Sequence, residues 1–296
     1  MHYTTGVKLV LLAALLWSLN GLLIRQISEA GTWAVLFWRS AGMVPVLVAV
    51  ILWRSGGKLP PVARIGWSGA IGGLGLVLAF GGAIFAFQAT TVANAVFLFS
   101  ASPFLAALLG WLILHETVRH ATWAAIALAG IGMFLMVREG LAAGAMAGNL
   151  AALTSALGFA GFTIALRWGR LSDMLPAVVL GGLFSMAAAA LALGVTGQPL
   201  WVPARDIAIA LAMGAGILAS GMALYTAGSR VIPAAELTLL SMVEVLLAPL
   251  WVFVVLGETA SAGTWVGGAV LLAAVALNAL SGARRRPPGL PVDQPG

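Results

Sequence analysis

Ten stretches of about 20 apolar residues follow one another along the chain, and this pattern constrains the fold more than any other feature. A helix needs about 20 apolar residues to cross the hydrocarbon core of a bilayer. Only 8% of the residues are charged, against about 25% in a soluble domain, so the bilayer is the natural solvent. The sequence therefore predicts an all-α polytopic membrane protein with ten transmembrane helices. They lie at roughly 7–26, 32–53, 67–89, 92–114, 121–138, 146–167, 174–195, 206–228, 233–256 and 262–281.

The distribution of Lys and Arg between alternate loops predicts the orientation of these helices. Loops on the cytoplasmic side carry the excess of positive charge in membrane proteins. With the N-terminus inside, eleven basic residues fall on the cytoplasmic side, and only Arg25, Arg138 and Arg205 fall outside. Both termini are therefore predicted to be cytoplasmic, in a multi-pass protein of the bacterial inner membrane. The cytoplasmic set is Lys8, Arg54, Lys58, Arg64, Arg119, Arg167, Arg170, Arg230, Arg284, Arg285 and Arg286.

The chain also resembles itself when it is shifted by 142 positions. The shift places Glu116-Thr117 on Glu258-Thr259 and Thr122-Trp123 on Thr264-Trp265, and it places Arg25 on Arg167. Between residues 93 and 127 it matches eleven of thirty-five residues without a gap. Such self-similarity predicts an internal structural repeat.

Each repeat contains five helices, and five is odd, so the two repeats are predicted to have opposite orientations in the membrane. The predicted units are residues 1–140, residues 146–281 and a disordered cytoplasmic tail over 282–296, which holds three Arg and four Pro residues. Inverted repeats are typical of secondary transporters that alternate access around a site near the midplane. Symmetric packing in a protein that does not transport is the alternative.

Several short motifs recur at defined places in the predicted spans. They are Ala14-Leu15-Leu16-Trp17-Ser18-Leu19-Asn20, Arg39, Ser102-Pro103-Phe104, Leu114-His115-Glu116, Glu244, Pro249 and Leu256-Gly257-Glu258. With these motifs, the chain resembles the drug/metabolite transporter superfamily, and within it the EamA-type exporters. It is also similar to bacterial amino-acid exporters of that family, those associated with aromatic amino acids. Val245 departs from the pattern, because family members often carry Pro directly after the acidic residue of the ninth helix.

Three ionisable residues fall inside the predicted spans, where a charge is expensive unless it is paired or solvated. Glu244 lies near the middle of the ninth span. Two roles suit its carboxyl: it binds a substrate amine or a coupled proton, or it makes a structural hydrogen bond to another helix. Arg39 lies about two turns into the second span. A guanidinium can bind a substrate carboxylate, but a structural charge or ion pair is the favoured interpretation. Glu236 lies one turn inside the ninth span, close to its cytoplasmic end.

Polar and aromatic residues in the same spans predict the lining of a central cavity. Side chains of Asn, Ser and Tyr can serve both the ammonium and the carboxylate of an amino acid, although a serine in a helix often bonds to its own backbone instead. Pro103 and Pro249 each remove a backbone hydrogen bond and predict kinks that could act as gates. The predicted cavity residues are Trp17, Asn20, Ser100, Ser102, Tyr225, Ser241 and Glu244.

These features favour a secondary transporter that exports aromatic and other neutral amino acids, functional as a monomer because one chain can close its own pathway. An exporter of lipophilic cations, drugs or other metabolites that uses Glu244 as counter-charge is the alternative within transport. A membrane enzyme or a non-transporting scaffold is the alternative of another class, but no catalytic constellation supports an enzyme. No cofactor, metal or nucleic-acid partner is predicted, and the absence of cysteine excludes disulfides and thiolate metal sites.

Overall fold

The computed structural model describes residues 2–58, 66–142, 145–169, 174–229, 231–232 and 234–283. Helices account for nearly all of these residues, because in a bilayer core every backbone N–H and C=O must find its partner within the protein. The tail was predicted over 282–296, but its first two residues belong to the last helix, which continues to Ala283. Residues 284–296 lie outside the described residues.

Ten helices cross the molecule in the order in which the sequence predicts them. Their bounds agree with the predicted spans to within four residues at each end. The helices are α1 (Tyr3–Ile24), α2 (Thr32–Arg54), α3 (Gly66–Ala89), α4 (Val92–Leu114), α5 (His120–Ala142), α6 (Met146–Trp168), α7 (Leu175–Thr196), α8 (Ala204–Gly228), α9 (Ala234–Leu256) and α10 (Ala262–Ala283).

Nine of these helices are long and apolar enough, over the described residues, to cross a membrane. In α9 the side chains are described over Leu240–Leu256, and this part is an apolar helix. The whole of α9 has 23 residues, which at about 1.5 Å per residue is long enough for a membrane crossing. The prediction of an all-α polytopic membrane protein is confirmed.

Three of the helices are irregular near their middle. A turn at Leu19 divides α1 into Tyr3–Ser18 and Asn20–Ile24. A break at Ser100 and Ala101 divides α4. The central part of α8, Met213–Ala219, is a π-helix, a rare form that is frequent at functional sites. All three irregular helices carry residues that the sequence assigns to the central site or its gates.

The ends of the helices alternate between two faces of the molecule. Arg25 follows the end of α1, and Arg167 lies in the last turn of α6, which runs in the opposite direction. We call these two ends of the bundle the Arg25 face and the Arg167 face. The charge distribution predicts that the Arg25 face is the outer one.

A carboxylate fastens the loop between α1 and α2 at the Arg25 face. Asp206, in the first turn of α8, is buried, and its two oxygens accept hydrogen bonds from three successive backbone N–H groups. The donors are Ser28, Glu29 and Ala30, at 3.3, 2.8 and 3.0 Å. Hydrogen bonds from backbone N–H groups to a carboxylate are among the stronger ones in proteins, so Asp206 fixes the loop against α8.

The helices pair in a pattern that two inverted halves would produce. Helix α3 packs along α6, and α1 packs along the second part of α8; exchanging the halves converts the first pair into the second. The pairs α2–α7 and α5–α10 also form, and each maps onto itself under the same exchange. The division into residues 1–140 and 146–281 stays a prediction that this packing supports.

Glycine allows a close approach of α3 to α6. A β-carbon on Gly158 would lie 2.5 Å from the Gly75 oxygen and 2.6 Å from the Ala79 nitrogen, both of them backbone atoms that cannot rotate away. Small residues at such positions let transmembrane helices approach and gain van der Waals contact.

Replacing Gly158 by Ala should therefore force α3 and α6 apart. Overpacking of this kind costs about 1–3 kcal/mol, which should appear as a lower melting temperature of the purified protein in detergent. Gly161→Ala is the matched control, since a β-carbon at Gly161 meets no atom within 4 Å. Equal melting temperatures for the two variants would contradict the assignment of Gly158 as the contact point.

Candidate functional site

Two aromatic rings from opposite halves of the chain meet where α1 packs on α8. The ring centroids of Trp17 in α1 and Tyr225 in α8 are 5.4 Å apart, with the ring planes tilted by 41°. Gly221, one turn before Tyr225, lies directly against the Trp17 indole, so that only a hydrogen fits between α8 and the ring. Glycine at this position allows the indole to lie flat against α8.

Helix α9 contributes three side chains to the same region. Ser241 is hydrogen-bonded to the Tyr225 side chain, and the Trp251 Nε1–H donates a hydrogen bond to Ser18 Oγ at 2.9 Å. Glu244 follows Ser241 by three residues and precedes Trp251 by seven, and this spacing places all three on one face of the helix. That face packs against α1.

We call Trp17, Asn20, Tyr225, Ser241, Glu244 and Trp251 the central cluster. Five of its six members were predicted as cavity residues from the sequence. Contacts join Trp17 to Tyr225 and Tyr225 to Ser241, and helical spacing along α1 and α9 places Asn20 and Glu244 next to them. Trp251 is the member that the sequence analysis missed. The spacing of seven residues from Glu244 was the available signal for it.

Several polar groups of the central cluster have no partner among the described residues. The Trp17 Nε1–H is buried and has no acceptor, and the Asn20 Oδ1 is buried and has no donor. The Asn20 amide nitrogen, in contrast, donates to the Trp17 carbonyl at 3.0 Å. Across the described residues, Glu244 makes neither a hydrogen bond nor an ion pair. Buried polar groups in proteins are normally paired, so this combination of donor and acceptors is suited to a polar ligand.

The two predicted serines of α4 are placed differently. The Ser100 hydroxyl donates to the Phe97 carbonyl at 2.6 Å, within its own helix. Ser102 begins the second segment of α4, and Pro103 follows it in the first turn. In the contacts of the described residues, neither serine joins the central cluster.

The two predicted kink prolines also differ from each other. Pro103 is exposed and follows the break in α4 directly, where the missing N–H of a first-turn proline costs nothing. Pro249 is buried inside α9, which continues through it to Leu256. It lines a cavity of about 170 Å³ near the Arg25 face, with Ala93, Val252, Phe253, Glu258, Thr259, Ala260 and Trp265. A role of either proline in gating stays a prediction.

Arg39 is buried between α2 and α3, away from the acidic residues. Its guanidinium carbon lies 5.0 Å from the centroid of the Phe80 ring, and its Nη2 donates a long hydrogen bond of 3.5 Å to the Phe80 carbonyl. Within the described part of the chain Arg39 has no ion-pair partner. This geometry agrees with a structural charge stabilised by a cation–π contact. The Glu236 side chain lies outside the described residues.

Two ion pairs connect the predicted halves at opposite faces, and the sequence analysis did not find them. At the Arg25 face, Arg25 Nε lies 2.8 Å from Glu258 Oε2. At the Arg167 face, Arg167 Nη2 lies 2.6 and 2.5 Å from the two oxygens of Glu116. The shift of 142 positions relates the two arginines to each other and the two glutamates to each other. Each pair joins the first helix of one half to the fourth helix of the other.

The glutamates of both ion pairs are presented by the same local turn. His115 and Gly257, directly before them, have left-handed backbone conformations with φ of 53° and 67°. Glu116 N–H then donates to the Gly110 carbonyl at 3.1 Å, and Glu258 N–H donates to the Val252 carbonyl at 3.3 Å. A left-handed residue of this kind ends a helix and turns the chain back on it.

Comparison with known families agrees with this fold. Residues 4–138, slightly under half of the chain, match the model of the EamA-like transporter family. This part of the chain is similar to that family, whose members are membrane transporters of the drug/metabolite transporter superfamily.

A solved crystal structure extends the likeness beyond the first half. It is 21% identical to this chain, with a TM-score of 0.64, and the match covers 95% of this chain and 98% of that chain. At this identity the likeness establishes the fold alone. No curated protein matches the chain.

Proposed function

We propose that this protein is a secondary transporter that exports amino acids, aromatic and other neutral ones, by alternating access around the central cluster. The observation that carries the proposal is the Glu244 carboxyl, which has no partner among the described residues and lies on the face of α9 shared with Ser241 and Trp251. Ionisable residues inside membrane spans commonly mark the path of a substrate or ion.

The chemistry of the central cluster suits a zwitterion with an apolar side chain. The Glu244 carboxylate and the Asn20 Oδ1 are acceptors for an ammonium group, and the Trp17 Nε1–H is a donor for a carboxylate. The rings of Trp17, Tyr225 and Trp251 offer apolar surface and ring edges, which favour aromatic side chains. The substrate class also rests on the resemblance of the sequence to exporters of aromatic amino acids.

The direction of transport depends on the orientation in the membrane. With eleven basic residues on the predicted cytoplasmic side and three outside, the Arg167 face is cytoplasmic and the Arg25 face is outside. We place the protein in the bacterial inner membrane with both termini in the cytoplasm, acting as a monomer without a cofactor and without catalysis. Substrate then enters at the Arg167 face and leaves at the Arg25 face.

A panel of labelled substrates in proteoliposomes tests the proposal. We expect phenylalanine, and other neutral amino acids such as leucine, to accumulate faster than in liposomes without protein. Glutamate, whose extra carboxylate would face Glu244, should not accumulate. The panel includes tetraphenylphosphonium, because an unpaired carboxylate among aromatic rings also suits a lipophilic cation. Flux of this cation alone would favour the second candidate, and no flux of any amino acid would refute the first.

A further inference from the structure

The two ion pairs are placed where a transporter must open and close. Arg25–Glu258 joins the end of α1 to the turn after α9, and Arg167–Glu116 joins the end of α6 to the turn after α4. Because each pair links one half of the chain to the other at its own face, separating the two linked segments at that face would break the pair there.

We propose that the two ion pairs are alternating latches, of which Arg25–Glu258 closes the pathway at one face and Arg167–Glu116 closes it at the other. The proposal rests on the transport function proposed above, and it adds the residues that hold each end shut. Equivalent latches on both faces follow from the inverted repeat, since an exchange of the two halves converts one latch into the other.

The latch at the Arg25 face is the more strongly held. Arg25 Nη2 also donates to the Thr90 carbonyl at 2.7 Å, and Glu258 Oε1 accepts from the Val92 N–H at 2.7 Å. The Arg25 and Glu258 side chains are 24% and 20% exposed, whereas those of Arg167 and Glu116 are 48% and 38% exposed. Water weakens an exposed ion pair more than a shielded one, so the Arg167 face opens more readily.

A polar network extends the latch at the Arg25 face across further helices. The Thr90 hydroxyl accepts a hydrogen bond from the Asn94 amide at 3.2 Å, and the same amide bonds to the buried Asn149 of α6. Thr264 at the start of α10 lies 3.5 Å from the Asn94 Oδ1. Both pairs are formed in this structure, and the connected set of bonds at the Arg25 face makes the Arg167 face the one that should open first.

The absence of cysteine from the sequence makes a direct test possible. The paired variants Arg25→Cys/Glu258→Cys and Arg167→Cys/Glu116→Cys would be treated with a bifunctional methanethiosulfonate reagent in proteoliposomes. We expect cross-linking of either pair to reduce transport at least tenfold and a reductant to restore it. If cross-linked protein transports at the rate of the untreated variant, the pairs are permanent ties and the proposal is wrong.

A labelling experiment tests the latches without reference to any substrate. Ser241→Cys reports access to the central cluster by a membrane-impermeant maleimide, applied to intact cells or to inside-out vesicles. Adding Arg25→Gln should speed labelling at least fivefold from one side of the membrane, and adding Arg167→Gln should do so from the other. Labelling at the parent rate, or acceleration from the same side by both changes, would overturn the proposal even if amino acids are transported.

Two further variants test whether the labelling rate depends on the ion pair itself and not on folding or on the loss of a charge. Arg119→Gln removes an exposed charge at the Arg167 face that contacts only Asn278 among the described residues, and it should leave the labelling rate unchanged. The exchanged pair Arg167→Glu/Glu116→Arg should return the rate toward that of the parent, because it rebuilds the ion pair in reverse. If the exchanged pair labels as fast as Arg167→Gln, the attraction between these two residues does not hold the face closed.

Discussion

Replacement of Glu244 by Gln is expected to reduce amino-acid transport more than tenfold. The change keeps the shape of the side chain but removes the negative charge that we assign to the substrate ammonium group. Hydrogen bonds to charged groups contribute about 1.5–3 kcal/mol, and about 1.4 kcal/mol corresponds to a factor of ten in affinity. Initial rates of phenylalanine uptake into proteoliposomes, at equal amounts of reconstituted protein, would measure the effect.

Two comparisons identify the role of the charge. Glu29→Gln alters an exposed carboxyl at the Arg25 face, and it should leave the uptake rate unchanged. If Glu244 binds the substrate amine, Glu244→Gln should lose both net uptake and the exchange of labelled for unlabelled phenylalanine. If exchange persists while the response to an imposed pH gradient disappears, Glu244 carries a coupled proton instead. Normal uptake and normal gradient response would exclude Glu244 from the transport path.

Replacement of Gly221 by Ala should raise the substrate concentration for half-maximal transport about tenfold. An added methyl group would overlap the Trp17 indole, whose nitrogen and neighbouring ring carbons lie directly over Gly221. The ring would then have to leave its contact with Tyr225. A loss of about 1–3 kcal/mol is typical when extra atoms enter a packed site, and 1.4 kcal/mol corresponds to a factor of ten.

Gly216→Ala provides the matched control for this variant. Gly216 belongs to the same helix, and a β-carbon there meets no atom within 4 Å. Concentration series of phenylalanine uptake would give the half-saturation value of both variants. An unchanged value for Gly221→Ala would show that the Trp17 ring does not contact the substrate.

The helical architecture could be predicted from the sequence because the thickness and apolarity of the bilayer restrict the length and composition of each helix. Each crossing requires an apolar stretch of nearly fixed length, and the charged residues fall almost entirely between those stretches. All ten helices were therefore found, with small errors at their ends. The turn at Leu19 was not predicted, since nothing in the surrounding apolar residues marks it.

The central cluster was partly predictable for a different reason. Polar and aromatic residues are rare in apolar spans, so Trp17, Tyr225 and Glu244 could be recognised one by one. Which helices face each other cannot be read from the chain, and Ser100 was therefore grouped with them although its hydroxyl bonds to its own helix. The same limit explains why the repeated Arg and Glu positions were seen but not their pairing.

The π segment of α8 changes the direction in which the second part of the helix presents its side chains. A π turn contains one residue more than an α turn, which is equivalent to a one-residue insertion that rotates everything after it by about 100°. The part of α8 before and within Met213–Ala219 packs on α2, and the part after it packs on α1. Deleting one residue from this segment would restore a regular helix and swing Tyr225 away from α1. The position of the Tyr225 ring is thus set by the number of residues in the chain as much as by their identity.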